Sequence, residues 1–303
     1  MDAAAAAART SNYECLLFDM DDTLYPMSSG LNLACRKNIQ EFMLHQLHME
    51  ESAVPSLCLD LYREHGTTMA GLKALGYEFD DDEFHAYVHG KLPYEQALKP
   101  DPFLRTLLLS MPHRKIILTN ADKAHAAEVV KRLGLEDCFE AVICFETLNP
   151  PLIQDVLECN NNKDKDDNDD HYIYDDEDKN NDFTNPNKAH IVCKPSLEAF
   201  EAAIRIANID PNKTIFFDDS ARNIASAKAA GLHTVIVGSP VVVPGADHAL
   251  SSIHNIKETM PQLWEGELGK QQEQLIQSTS LDQTIVLASQ SHINGGISVP
   301  CLK

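Results

Sequence analysis

The 303-residue chain contains no Gly-x-x-x-x-Gly-Lys-Ser/Thr and no Gly-x-Gly-x-x-Gly. Neither a P-loop nor a dinucleotide fingerprint is therefore present to hold a nucleotide on a glycine-rich turn. Basic residues are scarce: 25 against 46 acidic ones leave a formal charge of −21. That balance excludes the lysine- and arginine-rich face that nucleic acid needs, and equally disfavours an anionic membrane surface. No apolar run reaches the roughly 18 residues of a membrane span. Eight cysteines (Cys15, Cys35, Cys58, Cys138, Cys144, Cys159, Cys193 and Cys301) include no Cys-x-x-Cys pair and lie at irregular spacing. A zinc finger or a disulfide framework would show clustering, so these read as reduced thiols. Alanines 3 to 8 lack the positive start and long apolar core of a secretory signal. The expected location is the cytoplasm.

What is present is alternation. Short apolar runs recur at Leu16-Leu17-Phe18, Lys115-Ile116-Ile117-Leu118, Ala141 to Phe145, Thr214-Ile215-Phe216-Phe217 and Thr234 to Val237. Helical patterns lie between them at Ala121–Leu133, Ser196–Ala207 and Ala221–Ala230. Continuous apolar strands alternating with helices predict an α/β fold, a parallel sheet covered on both faces. Residues 28–98 interrupt this pattern with four expected helices, Leu31–His48, Ser52–His65, Thr68–Leu75 and Asp81–His89, long enough for a small helical domain. Residues 13–27 and 99–265 are then the core.

Two further segments differ in kind. Residues 155–188 carry 12 acidic and 4 basic groups and few apolar ones, an insertion expected to be flexible. Asp164, Asp166, Asn168 and Asp175 match calcium-loop spacing, but Asp169 stands where the loop needs glycine and no Glu ends it. A flexible acidic loop is the plainer account. Residues 266–303 form a polar tail rich in Gln and Ser.

The chemistry-bearing residues follow the strands. Asp19-Met20-Asp21-Asp22-Thr23 comes directly after Leu16-Leu17-Phe18, Thr119-Asn120 ends the second strand, Lys194-Pro195 opens a helix, and Asp218-Asp219 ends the strand Thr214–Phe217. Ligands of open parallel sheets bind outside the carboxyl ends of strands. Singly, each has a structural explanation: Thr119 as a helix cap, Lys194 as a solvated lysine, the acidic pair as capping carboxylates. Their order along one sheet edge points instead to phosphoryl transfer, which needs a nucleophile, neutralisation of phosphate oxygens and proton handling. Asp19, Asp21, Asp218 and Asp219 would gather strong negative charge, which calls for a hard cation such as Mg²⁺. Thr119, Asn120 and Lys194 would hold the phosphate.

This ordered set resembles the four motifs of the haloacid dehalogenase-like superfamily, over roughly residues 13–265. The resemblance implies a Rossmann-like parallel sheet with an inserted all-helical type-one cap at 28–98. It implies Asp19 as nucleophile and Asp21 as general acid and then base. It further implies Mg²⁺ held by Asp19, the Asp21 backbone carbonyl, Asp218 and Asp219. Several stretches are similar, more narrowly, to the pyrimidine 5′-nucleotidase type and the related suppressors of transcription-elongation-factor disruption: His65-Gly66-Thr67-Thr68, Leu92-Pro93-Tyr94-Glu95, Lys99-Pro100-Asp101, Cys193-Lys194-Pro195-Ser196 and Phe216-Phe217-Asp218-Asp219-Ser220.

The expected partner is a small phosphorylated metabolite, a pyrimidine nucleoside 5′-monophosphate on that resemblance, with no nucleic acid and no membrane. Gly66, Thr67 and Thr68 are candidate specificity residues, although a Gly-Thr-Thr helix start explains them as well. A phosphomutase, a lysophospholipid phosphatase of the same fold and a catalytically silent binding protein are the alternatives. Oligomeric state is not legible.

Overall fold

The computed structural model describes residues 13–151 and 190–264. The acidic segment 155–188, with its calcium-loop spacing, and the tail 266–303 lie outside the described residues. Six strands, β1 (Cys15–Phe18), β2 (Arg114–Leu118), β3 (Ala141–Ile143), β4 (Thr214–Asp218), β5 (His233–Val237) and β6 (His248–Leu250), pair in the order β3-β2-β1-β4-β5-β6. Every pairing is parallel. The α/β expectation holds.

The two central strands, β1 and β4, are buried along their whole length because both faces are covered. Leu16 and Phe18 point into one cluster with Ile117, Phe217 and Val235, while Cys15 and Leu17 point into another with Leu118, Phe216 and Ile236. Phe18 stacks on Phe217 with ring centroids 4.7 Å apart. Burying each such ring contributes about 1.5–3 kcal/mol, so the pair anchors the β1–β4 seam that carries Asp19 and Asp218.

Between β1 and β2 run α1 (Leu31–His45), α2 (Val54–His65), α3 (Thr68–Ala74), α4 (Asp81–His89) and α5 (Tyr94–Ala97), followed by α6 (Pro102–Ser110). The first four build a hydrophobic core of their own around Phe42, Met43, Leu61, Leu72 and Phe84. Phe42 meets Phe79, Phe84 and Tyr87 edge to face at 4.9–5.4 Å, the geometry ring quadrupoles favour. Phe145, just past β3, joins this cluster and packs the insertion against the sheet's end. Asp80 caps α4 by accepting from the Glu83 amide at 2.8 Å, with three acidic residues in the first turn. That placement suits the positive end of the helix.

Some boundaries differ from the sequence pattern. α1 stops at His45 rather than His48, whose φ of 52° lies outside the helical range. The helix expected from Ala121, α7 (Lys123–Leu133), starts at Lys123 because the Asp122 side chain accepts from the Ala124 and His125 amides. β3 ends at Ile143, and Phe145–Leu148 turns helical after Cys144. β6, three residues at the sheet edge, is too short to leave a pattern. Among the described residues no helix is long and apolar enough to cross a membrane.

Candidate active site

The strand order reverses between β1 and β4, and a crevice opens there at the carboxyl ends. The register sets Phe18 opposite Phe217, so Asp19 and Asp218 leave the sheet side by side. The Asp19 amide still donates to the Phe217 carbonyl at 2.8 Å. Lys194 arrives from the segment preceding the helix Leu197–Ala207. Its Nζ donates to Asp19 Oδ1 at 2.6 Å and to Asp218 Oδ2 at 2.9 Å. The Thr23 hydroxyl donates to the other Asp19 oxygen at 2.9 Å. Asp218 also accepts from the Ser220 backbone amide at 2.8 Å and from the Asn223 side-chain Nδ2 at 3.0 Å. Lys194 is 2% exposed and Asp218 fully buried.

Carboxylate oxygens of Asp19, Asp218 and Asp219 lie within 4.8 Å of one another, close enough to hold one ion. The electrostatics fit that use. Burial, opposed by Lys194 and reinforced by Asp218, Asp219 and Asp21, lifts Asp19 well above the usual carboxylate range. Burial together with Asp218 and Asp22 pushes Asp219 up to about 7. Burial alone would lower Lys194, but Asp19 and Asp218 raise it. One ammonium therefore leaves negative charge uncompensated, and an all-oxygen donor set suits a hard divalent cation such as Mg²⁺.

Thr119 is buried at the end of β2, its hydroxyl accepting from the Ala121 amide at 3.1 Å. Asn120 spends its side chain on Lys194: Nδ2 donates to the Lys194 carbonyl at 2.9 Å and Oδ1 accepts from the Lys194 amide at 2.8 Å. The pincer fixes the backbone from which the lysine reaches.

Asp21 sits beside this group in a network the sequence reading did not find. Its Oδ1 accepts from the Tyr25 hydroxyl at 2.5 Å and faces His125 Nε2 at 2.8 Å, while the Tyr94 hydroxyl lies 2.6 Å from His125 Nδ1. Burial works to raise Asp21, but His125 and Tyr25 outweigh it and hold the carboxyl down at about 2. Burial likewise would lower His125, and Asp21 and Asp122 outweigh it upward. Of the two groups, His125 therefore holds a proton the more tightly. A signal existed: on α7, His125 shares the buried face with Val129 and Leu133 at helical spacing, a titratable group in an otherwise apolar stripe.

A cavity of about 410 Å³ opens from Asp21 and Asp219 toward the inserted helices, and Gly66, Thr67 and Thr68 are on its wall. Thr67 caps α3 through the Ala70 amide at 3.1 Å, and the Thr68 hydroxyl donates to the Cys58 carbonyl at 3.1 Å. Gly66, at φ 89°, presses on the lysine loop: a Cβ there would sit 2.4 Å from the Lys194 carbonyl oxygen and 2.8 Å from Pro195 Cδ. Gly66→Ala is expected to lower kcat by about a hundredfold, the usual consequence of a 1 Å misplacement. It should also lower Tm, because the left-handed conformation itself costs a side chain roughly 1–2 kcal/mol. Wild-type kcat and Tm in this variant would show that the contact does not position Lys194.

Residues 13–156 match the family model described as haloacid dehalogenase-like hydrolase. The parallel sheet with a helical insertion after β1 agrees with that match. Within those residues lie the Asp19-x-Asp21-x-Thr23 run, Thr119 and the whole helical insertion; Lys194 and Asp218-Asp219 follow on the same sheet edge. Phosphate metabolism protein 8 of Saccharomyces cerevisiae is 25% identical over 227 residues, 72% of this chain. The alignment spans 60% of the yeast protein's length. A solved HAD phosphatase from Thermococcus onnurineus is 15% identical, with 81% of this chain and 96% of that one covered at a TM-score of 0.48. CbbY from Rhodobacter sphaeroides, solved with phosphate, is 15% identical, with 83% and 99% covered at a TM-score of 0.47.

Proposed function

We propose that the protein is a metal-dependent phosphatase that hydrolyses a small phosphomonoester through an aspartyl-phosphate on Asp19. The observation that carries this is Lys194 Nζ bridging Asp19 and Asp218, with Asp219 in reach of the same ion, at the crevice where the strand order reverses. In the first half-reaction an Asp19 carboxylate oxygen forms a bond to phosphorus as the ester oxygen leaves. Asp21 passes to that oxygen the proton that His125 delivers across the 2.8 Å contact, which leaves Asp21 ionised and His125 neutral. In the second, Asp21 takes a proton from water and returns it to His125, while the water oxygen attacks phosphorus and frees phosphate and the Asp19 carboxylate. Thr119 and Lys194 hold phosphate oxygens. Mg²⁺, held by Asp19, Asp218, Asp219 and the Asp21 carbonyl, would neutralise charge on the transferring group.

The helices between Leu31 and His89 act as a cap that reads the rest of the substrate and excludes water. The motif resemblance favours pyrimidine nucleoside 5′-monophosphates, a cytoplasmic metabolite class, and the 410 Å³ cavity falls in the range that takes such ligands. The yeast relative's name, a phosphate metabolism protein, agrees with the phosphatase reading.

The test is phosphate release from UMP, CMP, AMP, a sugar phosphate and a lysophosphatidate. UMP and CMP are expected to exceed the others in kcat/KM by at least about tenfold, roughly 1.4 kcal/mol of transition-state discrimination. Activity should vanish in chelator, return with Mg²⁺, and return poorly with Ca²⁺, which takes more ligands at longer distances. Turnover in ¹⁸O-water should place one heavy oxygen in the released phosphate, as hydrolysis requires and transfer to a second hydroxyl does not. Equal rates across the panel would remove the nucleotidase assignment alone; full activity without metal would remove the mechanism.

A further inference from the structure

A second cluster of ligating side chains lies beside the phosphate site but outside its machinery. His85 and His89 stand one turn apart on α4, and Asp122 caps α7. One ligand atom from each falls within 4.8 Å of the others. Asp122 divides its oxygens: Oδ2 accepts from the Ala124 amide at 3.1 Å and the His125 amide at 3.3 Å, while Oδ1 faces the two imidazoles. His89 Nδ1 is hydrogen-bonded to that oxygen. His85 is the unexplained member. It is 7% exposed and its Nδ1 lies 3.8 Å from Asp122 Oδ1, yet neither of its ring nitrogens has a hydrogen-bond partner.

An imidazole buried with both nitrogens unpaired costs on the order of 1–3 kcal/mol, so such a group calls for an explanation. Its packing against Phe84 and Phe145 gives none, because a phenyl ring would pack there without the penalty. A ligand that takes a nitrogen lone pair does.

We propose that His85, His89 and Asp122 form a binding site for a divalent transition-metal ion of the zinc type, distinct from the carboxylate cluster at Asp19, which clamps α4 to the start of α7. Two imidazoles and one carboxylate are a common zinc donor set, with water completing the tetrahedron. The helix amides on Asp122 Oδ2 supply the outer hydrogen bonds that orient a ligating carboxylate. Burial holds both histidines below their ordinary pKa, which favours the neutral imidazole that coordinates a metal. Hard, oxygen-seeking Mg²⁺ does not compete for such a set, whereas zinc does not need the Asp19 cluster. The site also touches the proposed chemistry: the His89 ring lies 4.5 Å from that of His125, which faces Asp21. An ion here ties an inserted helix to the core helix that carries His125.

Binding, not turnover, decides the matter, so the outcome is independent of the phosphatase reading. The full chain is stripped with chelator, returned to millimolar MgCl₂ to fill the carboxylate cluster, and titrated with ZnCl₂ by calorimetry and by thermal melting. Wild type should take one equivalent with a Kd of micromolar or tighter, and Tm should rise with zinc concentration. His85→Phe, which keeps a ring in the aromatic pocket, should weaken binding at least a hundredfold and lose the zinc-dependent rise in Tm. Metal-free, it should melt no lower than wild type, since it removes an unpaired polar group. Asp122→Asn, which still caps α7, should weaken zinc at least tenfold, and it decides the question if His85→Phe does not fold. Asp219→Asn should leave the zinc equivalent in place. The proposal is overturned if wild type takes no zinc in excess Mg²⁺, if His85→Phe or a folded Asp122→Asn binds like wild type, or if Asp219→Asn loses the equivalent.

Discussion

Asp19→Asn is expected to cut kcat by at least about a thousandfold, some 4 kcal/mol of activation free energy, while the protein still folds. The amide oxygen has the shape of the carboxylate it replaces but cannot displace an alkoxide at phosphorus. The surroundings tolerate the change. The Thr23 hydroxyl and Lys194 Nζ, at 2.9 and 2.6 Å from the two Asp19 oxygens, can both still be met by the amide oxygen or turn to neighbours, and Lys194 keeps Asp218 at 2.9 Å. Steady-state kinetics and melting of the same preparation separate the two effects. Wild-type protein quenched with hydroxylamine during turnover should carry a hydroxamate at residue 19, and the asparagine variant none. Turnover within tenfold of wild type in Asp19→Asn would end the covalent route and leave direct attack by water.

The sheet edge was legible because strand ends mark it. Asp19, Thr119 and Asp218 each follow a run of apolar residues, and a parallel sheet must bring such ends to one side. Lys194 was legible only through its place before a helix; that its ammonium inserts between two particular carboxylates depends on Asn120, which grips its backbone from 74 residues away. The Asp21 network was not read. Tyr25, Tyr94 and His125 come from a loop and two helices far apart in sequence, and only the packing of α5 on α7 brings Tyr94 to His125. The helices of the insertion were legible from their spacing, whereas the contact of Gly66 with Lys194 was not. It depends on how α2 and α3 meet the core, which no local pattern encodes. Likewise, α7 starts two residues later than its pattern suggests, after the Asp122 cap, because a capping side chain and a helical residue look alike in a polar run.

Lys194→Met should be the most damaging single change to stability in the metal-free protein, costing about 3–5 kcal/mol, the usual penalty for breaking a buried ion pair by removing one partner. Methionine fills much of the lysine's volume, so the loss is electrostatic. Asp218 would keep the Ser220 and Asn223 donors, but Asp19 would retain only Thr23. At about 2–4 °C per kcal/mol for a chain of this size, Tm should fall by roughly 6–20 °C at pH 8 in chelator. The pH dependence has a definite sign. Burial already raises Asp19, and losing the ammonium raises it further, so the folded variant binds a proton more tightly than the unfolded chain. Wild type shares the cost that builds above the unfolded carboxylate pKa of about 3.9 up to its own raised value, so the variant's deficit is smallest below that value and grows as pH climbs from it toward the variant's higher one. Melting at pH 5.5 should accordingly show a smaller gap from wild type than melting at pH 8. Mg²⁺ should also narrow the gap, because a divalent ion among Asp19, Asp218 and Asp219 replaces part of the missing positive charge. Activity should remain lost in every case, since charge restored at the carboxylates does not restore the donor to phosphate. A variant melting within about 2 °C of wild type at pH 8 in chelator would mean that Asp19 is already protonated beside Lys194, and that the ion pair contributes little to holding β1 against β4.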